Sequence, residues 1–225
     1  MPTVSETLFE NFCQRQGLAV ERVRESLERS PDYIVELLAT KVIVEVKQIE
    51  PNPEESRLLE ACVEEWDAEL TYHWGIPGER IRKKIVDAMP QLRALGRGRL
   101  PTVLVVHNTV SMWPELADEY AVRVAMFGIE TATIVNEVAP EGGALVLARW
   151  YGGRKRVSDT HNTTLSAVGI LDREAGVEVM QLFHNPFAQN PLPIGGFGSS
   201  GIREYRIGET AETRLAPWVE VIPAR

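Results

Sequence analysis

One carboxylate constrains this chain more than any other residue: Glu45 sits inside Val42-Ile43-Val44-Glu45-Val46, the most hydrophobic run of the sequence, and Lys47 follows it. Two β-branched runs, Tyr33–Leu38 and Val42–Val46, flank the connector Ala39-Thr40-Lys41, a pattern that predicts a β-hairpin. Side chains alternate along a strand, so Val42, Val44 and Val46 share one face while Ile43, Glu45 and Lys47 share the other. Asp32 stands at the mouth of the first strand, and hairpin pairing carries it toward Glu45. Two carboxylates and an ammonium then converge. A buried carboxylate is costly unless it is paired or binds a cation, so either a Glu45–Lys47 ion pair or a metal ion must compensate it.

The spacing of Pro31-Asp32 and Glu45-Val46-Lys47 resembles the core motif of the PD-(D/E)xK nuclease superfamily. The resemblance implies that Asp32, Glu45 and the carbonyl of Val46 hold a divalent metal, Mg²⁺ or Mn²⁺, and that Lys47 helps activate the attacking water. Such an ion favours hard oxygen ligands, keeps several waters and lowers the pKa of a water that attacks a phosphodiester. The resemblance also implies an α/β fold, a three-layer restriction-endonuclease-like core with a mixed central sheet, covering residues 5–108. It matches Glu10 on the first helix and Gln91 on a later one to further site positions. The implied partner is nucleic acid, DNA ahead of RNA; the rival reading is a non-catalytic nucleic-acid-binding or protein-interaction module on the same fold.

At 225 residues the chain suits one domain spanning 1–225, in which 109–225 form a β-rich C-terminal elaboration. Its 44% hydrophobic and 25% charged residues are those of a globular protein, and neither a membrane span nor a signal peptide is present, so a cytoplasmic location is expected. Cys13 and Cys62 are spaced as buried thiols. A net charge of −8 opposes binding to a polyanion unless the basic residues are segregated. Arg80, Lys83 and Lys84, with Arg154, Lys155 and Arg156 beside Trp150 and Tyr151, are the candidate nucleic-acid-binding patch.

In chain order, Ser5–Gln16 reads as a helix with Ser5 as N-cap and Leu8, Phe9, Phe12 and Cys13 as its apolar stripe, followed by a polar connector over Leu18–Arg29. Pro51–Leu70 is a strongly acidic helix candidate. Glu79–Leu95 is a second helix that Pro90 should kink or interrupt. Pro101–His107 reads as a buried strand and Glu115–Phe127 as a helix. Ala144–Trp150, Leu165–Leu171, Val177–Phe183, Arg203–Ile207 and Trp218–Ile222 read as strands, with Asp172–Gly176 as a turn and 185–201 as a Pro- and Gly-rich loop. Gly196-Phe197-Gly198-Ser199-Ser200-Gly201 fits a dinucleotide-binding pattern, but a proline-rich loop precedes it and no βαβ unit can follow. The four histidines form no metal-binding spacing, so zinc is not indicated.

Overall fold

The computed structural model describes residues 2–24, 30–64, 75–96, 98–110, 112–138, 144–151, 153–198, 200–207 and 218–221; side chains of 62–64 and 130–151 lie outside the description. In chain order the elements are α1 (Val4–Arg15), β1 (Ala19–Arg22), β2 (Tyr33–Leu37), β3 (Thr40–Ile49), α2 (Pro53–Glu64), α3 (Glu79–Gly96), β4 (Thr102–Asn108), a 3₁₀ turn (Pro114–Ala117), α4 (Glu119–Phe127), β5 (Glu130–Val138), β6 (Ala144–Tyr151), β7 (Ala167–Glu174), β8 (Val177–His184), β9 (Ile202–Ile207) and β10 (Trp218–Val221). Eight strands form one mixed sheet in the order β1-β2-β3-β4-β7-β8-β9-β10, and β5 and β6 pair separately as a ribbon.

The hairpin is tighter than the sequence suggests. Thr40 and Lys41 join β3, leaving Leu38 and Ala39 as a two-residue loop, both at positive φ (48° and 63°). That conformation matches the twist of the flanking strands, which is why the ladder closes there despite the absence of glycine. β3 continues parallel to β4 and β4 parallel to β7, so β3 is interior and buried on both faces. Val42, Val44 and Val46 pack with Leu8, Phe9 and Phe12 of α1. Ile43 and Ile49 pack with Ile81, Ile85, Ala88, Met89 and Leu92 of α3 and with Val122, Ala125 and Met126 of α4. The predicted alternation of faces holds along β3, and it sets Glu45 and Lys47 on the α3 side.

Several boundaries differ from the sequence reading. Thr3, not Ser5, caps α1: its hydroxyl accepts the Glu6 amide while the Glu6 carboxylate accepts the Thr3 amide, a closed capping box. The polar connector after α1 contains β1, an edge strand whose exposed residues leave no apolar alternation to read. The acidic helix is described only as α2, and the predicted remainder, 65–70, lies outside the described residues. α3 runs unbroken through Pro90, so burial of its apolar face against the sheet outweighs the missing backbone donor. Asp118 splits the helix predicted over 115–127, accepting from the Ala121 amide as N-cap of α4. Asp172, Arg173 and Glu174 belong to β7; the turn is Ala175-Gly176, both at positive φ. No helix among the described residues is long and apolar enough to cross a membrane.

Candidate active site

The β2–β3 ladder pairs Tyr33 with Val44, so Asp32 stands one residue beyond the last pair and opposite Glu45. Its Oδ2 accepts a 2.8 Å hydrogen bond from the Val46 amide. Glu45 is 1% exposed; its Oε1 lies 2.6 Å from the Lys47 ammonium. The other oxygen, Oε2, is buried and has no hydrogen-bond partner among the described residues. Burial, reinforced by the Asp32 charge, pushes the Glu45 carboxyl up to about 7, with Lys47 and the Asp32 backbone pulling the other way. Burial, with a smaller contribution from Glu6, also raises Asp32, against the Val46 amide, Lys47 and Arg22. The two carboxylates therefore oppose each other's ionisation, and one ammonium does not fully compensate them.

This donor set fits a hard divalent cation. Asp32 and the orphaned Glu45 Oε2 are carboxylate oxygens. In a strand the N–H and C=O of one residue point to the same neighbour. The Val46 amide bonds Asp32, so the Val46 carbonyl faces that side too, beyond the end of β2. Asp32, Glu45 and the Val46 carbonyl thus belong to one end of the hairpin, with Lys47 alongside.

Glu10 is engaged by β1 and β2. Its Oε1 accepts from the Tyr33 hydroxyl at 2.7 Å and lies 3.4 Å from Arg22, on the α1 side of the sheet. One turn earlier, Glu6 pairs with Arg22 at 3.0 Å, and its charge reaches Asp32. Both residues occupy the same helix flank, one turn apart, and only the placement of α1 across the sheet distinguishes them.

Gln91 has a buried Oε1 without a partner among the described residues. Lys84, Ala88 and Gln91 follow one another at i, i+4 and i+7 along α3, with Ala88 buried against the sheet. No hydrogen bond joins Gln91 to Asp32, Glu45 or Lys47 among the described residues. Lys84 is half-buried, and its ammonium is held below its usual range mainly by burial, with Lys47 and Lys83 adding to this and Asp87 and Glu50 opposing it.

The other basic candidates are unequally engaged. Arg80 donates to both oxygens of buried Glu55 at 2.6 Å and to the Glu50 carbonyl at 3.0 Å, which ties α3 to α2. Lys83 is exposed. Arg154 lies 3.7 Å from Glu79, and Lys155 beside it is exposed. Arg156 is half-buried and its backbone amide donates to the Met126 carbonyl. Both basic stretches thus border the start of α3: Arg154 approaches Glu79 there, and buried Arg82 bonds the same carboxylate. The side chains of Trp150 and Tyr151 lie outside the described residues. A cavity of about 500 Å³ opens at the same end, lined by Asn52, Glu54, Ile76, Arg80, Leu116 and Tyr120 among others; Asp32 and Glu45 do not line it.

Compared with family models, curated proteins and solved structures, the chain matches none of them.

Proposed function

We propose that the protein is a Mg²⁺- or Mn²⁺-dependent nuclease that hydrolyses nucleic-acid phosphodiesters, with DNA ahead of RNA as substrate. The observation that carries this reading is the convergence of Asp32, Glu45 and Lys47 at one end of β2 and β3, with a buried Glu45 oxygen left without a partner. The element order supports it as well: hairpin, helix α3 on the sheet, then the parallel strand β4 is the arrangement expected of a restriction-endonuclease-like core.

In this reading Asp32, Glu45 and the Val46 carbonyl hold the ion. A divalent cation there would lower the pKa of a bound water and offset charge developing on the phosphoryl oxygens. Lys47, one quarter exposed, has its ammonium positioned by Glu45 so that it can orient that water or donate to a phosphate oxygen. Lys83, Lys84, Arg154 and Lys155 supply local positive charge on an acidic protein.

The test is incubation of supercoiled plasmid and of single-stranded DNA and RNA oligonucleotides with the protein, in Mg²⁺, Mn²⁺ or EDTA, beside Asp32→Ala. Metal-dependent cleavage that is absent in Asp32→Ala is expected. Nucleic-acid binding without metal-dependent cleavage favours a binding module on this fold; neither binding nor cleavage at low salt overturns the reading.

A further inference from the structure

The free oxygens at the open end of the β2–β3 hairpin limit how many ions it can hold. A two-ion site sets its cations about 3.5–4 Å apart and needs a carboxylate that gives one oxygen to each. Neither carboxylate here has two oxygens to give. Glu45 Oε1 lies 2.6 Å from the Lys47 ammonium, which leaves only the buried, unpartnered Oε2. Asp32 Oδ2 accepts the Val46 amide at 2.8 Å, which leaves Oδ1. Val46 is itself buried, so withdrawing that acceptor would orphan an N–H away from water, a costly change.

No further side chain makes up the deficit. Among the described residues, no third carboxylate, imidazole or thiol joins Asp32 and Glu45 in a metal-holding group. The carboxylates on the flank of α1 are engaged: Glu6 Oε2 accepts the Thr3 amide at 2.6 Å and lies 3.0 Å from Arg22, and Glu10 Oε1 accepts the Tyr33 hydroxyl. Glu50, just past the end of β3, accepts from the Gln48 side-chain amide at 3.1 Å. Charge argues the same way. One dication together with the Lys47 ammonium already outweighs two carboxylates, and a second dication would add repulsion against both cations with no further carboxylate to offset it.

We propose that this end of the hairpin takes a single divalent ion, held by one oxygen each from Asp32, Glu45 and the Val46 backbone, because the Lys47 ammonium occupies the place of a second cation. The inference rests on the nuclease reading for the presence of the ion, and adds its number and the residue that sets it. One oxygen from each of these residues leaves the remaining positions of an octahedral ion to water, as Mg²⁺ favours. Lys47, one quarter exposed and fixed by Glu45, then supplies the second positive charge facing the phosphoryl group.

The test is a Mn²⁺ titration of the wild type, Asp32→Ala and Lys47→Asp without nucleic acid, read by calorimetry and by electron paramagnetic resonance. The wild type is expected to bind one ion more than Asp32→Ala, with the spectrum of an isolated Mn²⁺. Lys47→Asp removes the ammonium and adds a carboxylate on the same strand face as Glu45, so it is expected to bind two ions with a spin-coupled spectrum. Should Lys47→Asp not fold in Mn²⁺, Lys47→Asn, which also exchanges the ammonium for an oxygen, takes its place. Two ions in the wild type, both lost in Asp32→Ala, would overturn the single-ion site and leave the nuclease reading intact. A folded Lys47 variant that still takes one ion would overturn Lys47 as the residue that sets the number. Equal uptake by the wild type and Asp32→Ala would remove the ion from this site, and the nuclease reading with it.

Discussion

Asp32 Oδ2 bonds the amide of Val46 at 2.8 Å, so the carboxylate of one strand closes the ladder of the next just where regular pairing stops. This contact fixes Asp32 across from Glu45 and leaves the Val46 carbonyl on the same side of β3, beyond the end of β2. It also assembles two carboxylates at the edge of a hydrophobic core.

Divalent metal should stabilise the fold. An ion bound only by the native state raises stability by mass action, and Asp32 and Glu45 repel one another without it. Millimolar Mg²⁺ or Mn²⁺ is expected to raise the melting temperature of the wild type in a thermal denaturation series, with no shift in Asp32→Ala. An equal shift in that variant would place the ion elsewhere.

Glu45 should impose a pH dependence on apo stability. Its folded pKa, about 7, exceeds its ordinary value of 4.5, so the native state holds the proton more tightly than the unfolded chain does. Its favourable contribution is complete below about pH 4.5, is lost as pH rises to about 7, and stays lost above. The loss is on the order of 3 kcal/mol. Urea melts of the wild type and of Glu45→Gln between pH 5 and 8, both in EDTA, should diverge by that amount, Glu45→Gln gaining relative to the wild type as pH rises. Parallel curves would refute the uncompensated carboxylate.

Lys47→Met should separate chemistry from folding. The methionine keeps most of the apolar stem and deletes the charge, and on the proposed nuclease reading a bound cation would still compensate Glu45. The expected variant folds and binds metal and nucleic acid, yet cleaves slower by a few orders of magnitude, the mark of a group used mainly in the transition state. Single-turnover cleavage near the wild-type rate would remove Lys47 from catalysis. A variant that fails to fold even in Mg²⁺ would make the Glu45–Lys47 pair structural.

The hairpin loop should be improvable. Ala39 occupies φ 63° next to Leu38 at 48°, both in a region that glycine and asparagine tolerate better. Ala39→Gly is expected to stabilise the protein by about 0.5–1 kcal/mol, measured by chemical denaturation, and to leave metal binding unchanged.

Much of the hairpin was legible in the sequence because its determinants are local. β-branched runs specify β2 and β3, a period of two specifies the face of Glu45, and antiparallel pairing brings Asp32 to it. Helical periodicity likewise specified the buried face of α3. Where local signals compete, the sequence alone misjudged the outcome. Pro90 argued against continuity of α3, Ser5 resembled a cap although Thr3 supplies it, and β1 carries no apolar pattern.

The sequence by itself determined the carboxylate pair, its lysine neighbour and the strand geometry that joins them, since all lie within one hairpin. Only the tertiary structure decided which distant groups reach that end of the sheet. Glu10 is bonded to the Tyr33 hydroxyl, Arg80 is held by Glu55, and Ser5, Gln48 and His107 form one hydrogen-bonded chain. Those relationships link α1, β3, β4, α2 and α3, elements whose relative placement is set by burial of two apolar clusters on opposite faces of the sheet. Burial is non-directional, so nothing in the local sequence reveals which polar residues its packing will bring together.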